Sequence, residues 1–87
     1  MEQPLIKIEE KSGELLLTIQ DTEIFDFIED LLIEKYGLKY TYLETVEING
    51  IITYSLHFPE NTNQNLLQTA IDSIDQNELR RIWNLNH

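Results

Sequence analysis

At 87 residues the chain is long enough for one small core, burying about 60 to 65% of the surface its unfolded form exposes, and its 41% hydrophobic content excludes a disordered tail. The absence of cysteine excludes disulfide staples, thiolate metal sites and cysteine nucleophiles. A net charge of -10 repels nucleic-acid phosphates and anionic lipid, so neither direct nucleic-acid binding nor membrane attachment is expected.

The charge is unevenly placed. Residues 1–48 hold twelve Asp and Glu against four Lys, a net -8, which makes a basic protein the natural complement. The first residues, MEQPLIKIEEK, form no secretory leader, and no apolar run approaches the roughly 18 residues of a membrane span. A soluble, unprocessed, cytoplasmic protein with residues 1–87 as a single domain is therefore expected.

Leu5 to Lys11 and Glu14 to Gln20 alternate in hydropathy, with Ile6 and Ile8 on one face of the first run and Leu15, Leu17 and Ile19 on one face of the second. A two-residue Ser12-Gly13 turn sets Ile8 opposite Leu17, Ile6 opposite Ile19, and Lys11 opposite Glu14. Pattern and turn agree, which predicts a β-hairpin. Asp21 then stands where a helix cap is needed, and Ile24, Phe25, Ile28, Leu31, Leu32 and Tyr36 recur at helical spacing. Gly37 supplies the left-handed residue that ends the helix at Tyr36, after which Leu38 is expected to begin the third strand.

Leu38, Tyr40, Tyr42 and Val46 share one face of that third strand, and Ile52, Tyr54, Leu56 and Phe58 share one face of a fourth. A tight Asn49-Gly50 turn would set these two faces on opposite sides of the sheet. A three-residue loop, Ile48-Asn49-Gly50, with a bulge at Gly50 brings them together, so the alternation predicts the bulge. Beyond Pro59, the polar run Glu60 to Asn65 offers helix caps before the stripe of Leu66, Leu67, Ala70, Ile71 and Ile74. The stripe breaks at Leu79, and Asp75 and Glu78 stand at capping-box spacing, which predicts a kink or a separate short helix from Gln76 to about Leu85.

The order ββαββα with a short C-terminal helix points to an α+β two-layer sandwich, a four-stranded antiparallel sheet carrying helices on one face. Its inward face is predicted to hold Ile6, Ile8, Leu15, Leu17, Ile19, Tyr40, Tyr42, Val46, Ile52, Tyr54, Leu56 and Phe58. The predicted outer face holds Lys7, Leu16, Thr18, Thr41, Leu43, Thr45, Thr53, Ser55 and His57.

Two surfaces carry the functional expectations. Glu23, Asp26, Asp30 and Glu34 run down one side of the first helix at about 5.5 Å axial spacing, a ladder that self-repels and so is not explained by helix stability. A DNA-mimic reading needs further carboxylates, such as Glu29, Glu9, Glu10 or Glu44, to fill that density. Metal binding is not expected, because a straight helix diverges its carboxylates and the only histidines, His57 and His87, lie thirty residues apart. The second surface is the outer sheet face, where Leu16 and Leu43 among threonines offer a partner or a second copy a place to dock. Trp83, with Ile82 and Leu85, either docks elsewhere or packs back on the helical layer.

No nucleophile elbow, phosphate loop or zinc motif occurs, so no enzyme and no cofactor are expected. His57 with Ser55 or Thr53 on one strand is the nearest approach to a catalytic pair. The expected role is a small acidic protein-binding module, adaptor or inhibitor-like, acting on a basic partner through Glu23, Asp26, Asp30, Glu34, Leu16 and Leu43. A DNA-mimic inhibitor of a nucleic-acid-binding protein is one alternative, and a small hydrolase or metal-dependent enzyme is another. A homodimer is also expected, with Leu16, Leu43 and Ile51 at or near the contact.

Overall fold

A computed structural model describes residues 6–86; Leu5, His87 and the side chains of Leu85 and Asn86 lie outside the described part. The elements run β1 (Ile6–Lys11), β2 (Glu14–Ile19), α1 (Thr22–Asp30), a π-helical turn (Leu31–Lys35), β3 (Tyr42–Ile48), β4 (Ile51–Phe58), α2 (Gln64–Asp72) and α3 (Gln76–Asn86). The four strands form one antiparallel sheet in the order β1-β2-β4-β3. This is the α+β architecture that the sequence implies.

The two central strands set the core. Leu17 faces Leu56, Leu15 faces Phe58 and Ile19 faces Tyr54, and the first two pairs are buried together with Ile19. Ile24, Ile28 and Leu32 press onto them from the helical layer, joined by Leu67 and Ala70 of α2 and by Leu79 and Ile82 of α3. Phe25 stacks on Tyr54 with ring centroids 4.3 Å apart, and the Tyr54 hydroxyl shares a 2.7 Å hydrogen bond with Thr22. An aromatic pair of this kind contributes about 0.5 to 1.5 kcal/mol beyond its burial.

Capping residues fall where the sequence puts them. The Asp21 carboxylate accepts from the Ile24 N–H at 2.9 Å, Asn63 accepts from Leu66 N–H at 3.1 Å, and Asp75 accepts from Asn77 N–H at 2.9 Å. The third helix is separate from the second, since Ser73 and Ile74 close the end of α2 through bonds to Thr69 and Ile71. Trp83 is half-buried against the core, so it belongs to the helical layer.

The first hairpin has the expected register, with Ser12 and Gly13 both at positive φ. The second does not. Asn49 and Gly50 form a two-residue turn with φ of 55° and 82°, and Ile48 sits directly opposite Ile51. Tyr42 therefore opposes His57 and Val46 opposes Thr53, which puts both on the outer face, while Leu43 and Thr45 move to the core side opposite Leu56 and Tyr54. The bulged loop, the inward placement of Tyr42 and Val46, and the outward placement of Leu43 are all overturned.

The reason is a conflict between turn chemistry and alternation. An Asn-Gly turn with both residues at positive φ matches the twist of the flanking strands, and β4 is already fixed by β2. The edge strand has one neighbour, so its own alternation loses. The extra residue is taken up at the other end instead: Thr41 N–H donates to the His57 carbonyl at 2.8 Å although Tyr42 is the registered partner of His57. Two residues face one, as in a bulge, and this returns Tyr40 to the core side. Leu38 is buried in the irregular segment before β3, not at the start of a strand.

Because Gly50 holds φ of +82° with open space around its missing side chain, Gly50→Ala should destabilise by about 1 kcal/mol through backbone strain alone. Urea unfolding should show this as a lower midpoint at unchanged slope, with Asn49→Gly close to neutral.

Candidate functional site

The first helix divides its carboxylates between two tasks. Glu29 turns inward to accept a hydrogen bond from the Tyr40 hydroxyl, tying the helix to the segment before β3. Glu23, Asp26, Asp30 and Glu34 are exposed, and none of their carboxylates forms an ion pair or hydrogen bond with another described residue. Among the described residues the four carboxylates are thus exposed and unpaired.

The helix changes winding between Asp30 and Glu34. Ile24, Ile28, Leu32 and Tyr36 repeat every four residues, as do Asp26, Asp30 and Glu34. In an α-helix of 3.6 residues per turn a four-residue row drifts around the axis, whereas the wider π winding keeps such a row more nearly in line. The apolar row stays over the sheet, and Leu38 N–H closes the end on the Leu32 carbonyl at 2.9 Å around Gly37. Of the carboxylate row, only the step from Asp30 to Glu34 runs into this winding. The unbroken four-residue period was the signal for this in the sequence.

The carboxylates that would thicken the row are elsewhere. Glu9 and Glu44 project from the outer face of the sheet, away from α1, and Glu10 stands on the edge strand β1. Leu16 is on the outer face as expected but only 8% exposed, walled in by its cross-strand neighbours Glu9 and His57. Leu43 packs against the core. The two leucines expected to share a docking face lie on opposite sides of the sheet.

The outer face carries other apolar side chains, of which Ile51 alone was expected near a contact. Tyr42 is 59% exposed, Val46 44%, Ile48 65% and Ile51 57%, and they line the open end of the β3–β4 hairpin. The tight Asn-Gly turn was the sequence signal that would have placed them there. Beside them His57 bridges three strands, with Nδ1 3.1 Å from Glu14 and Nε2 3.4 Å from Glu44. The second approach is at ion-pair distance but outside hydrogen-bonding geometry. The Tyr42 ring meets the imidazole edge-on at 5.0 Å. Both ring nitrogens of His57 are directed at carboxylates, leaving neither aimed at Ser55 or Thr53.

Among the described residues no group of three or more His, Asp or Glu is placed to hold a metal ion, and no helix is long and apolar enough to cross a membrane. Comparison with family models, curated proteins and solved structures found no match.

The Glu29 contact raises the Tyr40 phenol to about 12, first through the hydrogen bond and then through burial and the nearby charge. The folded state holds this proton more tightly than the unfolded chain. Its stabilising effect is therefore whole below the ordinary phenol value of 10.0 and is lost as pH climbs through about 12. Denaturant melts at stepped alkaline pH should show the native protein losing stability faster than Tyr40→Phe across that window.

Proposed function

We propose that the protein is a small acidic cytosolic binding module, adaptor or inhibitor-like, that presents the carboxylate row of α1 and its π-helical turn to a basic protein. The observation that carries this reading is the exposed set of Glu23, Asp26, Asp30 and Glu34, free of partners among the described residues while Glu29 on the same helix is engaged. Like charges four residues apart cost an isolated helix a few tenths of a kcal/mol per pair. A face that is merely soluble has no need of that arrangement, whereas a basic partner turns it into attraction and electrostatic steering. The net -8 of residues 1–48 extends the same field beyond the row.

The partner contacts lie on Glu23, Asp26, Asp30 and Glu34. Leu43 has no part in them, because its side chain is committed to the core, and Leu16 is on the far side of the sheet.

Asp26→Asn with Asp30→Asn should leave the fold as stable as the native protein or slightly more so, since it relieves repulsion. A basic partner captured on the native chain should lose affinity for the double variant, and its association rate with the native chain should fall steeply as salt brings the screening length below about 10 Å. Calorimetry and salt-dependent binding kinetics measure the two effects. Unchanged affinity together with unchanged salt dependence would reduce this row to an ordinary solvated face.

A further inference from the structure

The two edges of the sheet are unlike. On β1, four of the six residues, Lys7, Glu9, Glu10 and Lys11, are charged, the usual protection of an open edge against pairing. On β3, YLETVEI, there is no lysine or proline, and the only charges are Glu44 and Glu47. The exposed large hydrophobics concentrate on the same hairpin, with Tyr42, Val46 and Ile48 on β3 itself and Ile51 beside them on β4. With Glu47 on its inward side and a bulge at Thr41 as its protection, the β3 edge is less guarded than β1, and its seven residues, continuous with an apolar outer face, make a surface suited to strand addition.

The register of β3 decides what can be added. Ile48 and Ile51 flank a two-residue turn, so they form a hydrogen-bonded pair. Alternation then turns the amides of Tyr42, Glu44, Val46 and Ile48 toward β4, and those of Leu43, Thr45 and Glu47 toward the open edge. A second β3 can meet this edge antiparallel across a two-fold axis at Thr45. In that arrangement Tyr42 opposes Ile48, Leu43 opposes Glu47, Glu44 opposes Val46, and Thr45 opposes its own copy. All seven residues pair, the outward-facing amides and carbonyls of Leu43, Thr45 and Glu47 find one another, and no carboxylate faces a carboxylate. Moving the axis to Glu44 sets two glutamates directly opposite, and moving it to Val46 shortens the paired stretch to five residues.

We infer that two copies of this chain join through their β3 edges, two-fold related at Thr45, into a continuous eight-stranded sheet. The outer faces of the two hairpins then form one apolar strip, with Tyr42 of each copy packing on Ile48 of the other. This contact lies away from the carboxylate row of α1 and is independent of it. Each copy carries -10, so dimerisation works against net repulsion and strengthens as salt screens it. That salt response is opposite in sign to the response of a basic partner.

Sedimentation and light scattering of the full chain, from about 1 µM to about 500 µM, should show a monomer–dimer equilibrium that shifts toward dimer between about 20 mM and about 300 mM salt. Val46→Glu places a second carboxylate opposite Glu44 in both symmetric pairs and should weaken dimerisation about tenfold or more. Val46→Lys removes the same apolar side chain but places an ammonium there, and should dimerise at least as well as the native chain. Thr45→Pro deletes the edge-facing amide at the axis without touching the ladder to β4, and should weaken the dimer while circular dichroism stays native. A monomer throughout the concentration range would overturn the inference. So would a dimer that responds alike to Val46→Glu and Val46→Lys, because such a dimer uses a different register or surface.

Discussion

The pairing of β2 with β4 is the constraint on which the rest of the structure depends. Leu17 faces Leu56 at its centre with both side chains fully buried, and Leu15, Phe58, Ile19 and Tyr54 extend the same face to either side. These two strands are distant in sequence and are joined through α1 and β3, so closing them carries a loop-closure cost that the local hairpins do not. Once closed, they fix which face of β4 is inward. The helical layer then has one surface to cover, and Phe25, Ile24, Ile28 and Leu32 cover it.

That fixed face turns the second hairpin into a contest between local effects. The alternation of β3 favours placing Tyr42 and Val46 inward, and the Asn49-Gly50 turn favours the register that puts them outward. The turn prevails because an edge strand gains less from burial: its inward positions lie at the margin of the helical layer, where Thr45 and Glu47 remain exposed. The result is a core with Leu43 as the contribution of β3 and an outer face with four exposed large hydrophobics. A register choice of one residue thereby moves the apolar surplus of a small protein onto the face that another molecule can reach.

The helix shows the same economy in reverse. A four-residue apolar period does not fit 3.6 residues per turn, and the winding gives way after Asp30 while the packing holds. Glu29 is drawn in by Tyr40, and the remaining carboxylates are left in a row on the solvent side. The acidic character of this surface is therefore a product of composition and of the helix that leaves these carboxylates exposed.

From the sequence alone came the element order, the α+β class, the first hairpin with its register, the cap at Asp21, a run of cap candidates from Glu60 to Asn65 that includes Asn63, and the stop at Gly37. Each of these rests on interactions a few residues apart, where hydropathy period and turn chemistry act together. Placement of Glu23, Asp26, Asp30 and Glu34 on one exposed side was legible for the same reason. The strand order, the side to which Tyr42, Leu43 and Val46 point, and the separation of Leu16 from Leu43 were decided only in the tertiary structure. The strand order turns on contacts between segments distant in sequence, and the register of β3 on the weight of the Asn49-Gly50 turn against the burial an edge strand can gain, a balance set by how far the helical layer reaches over β3.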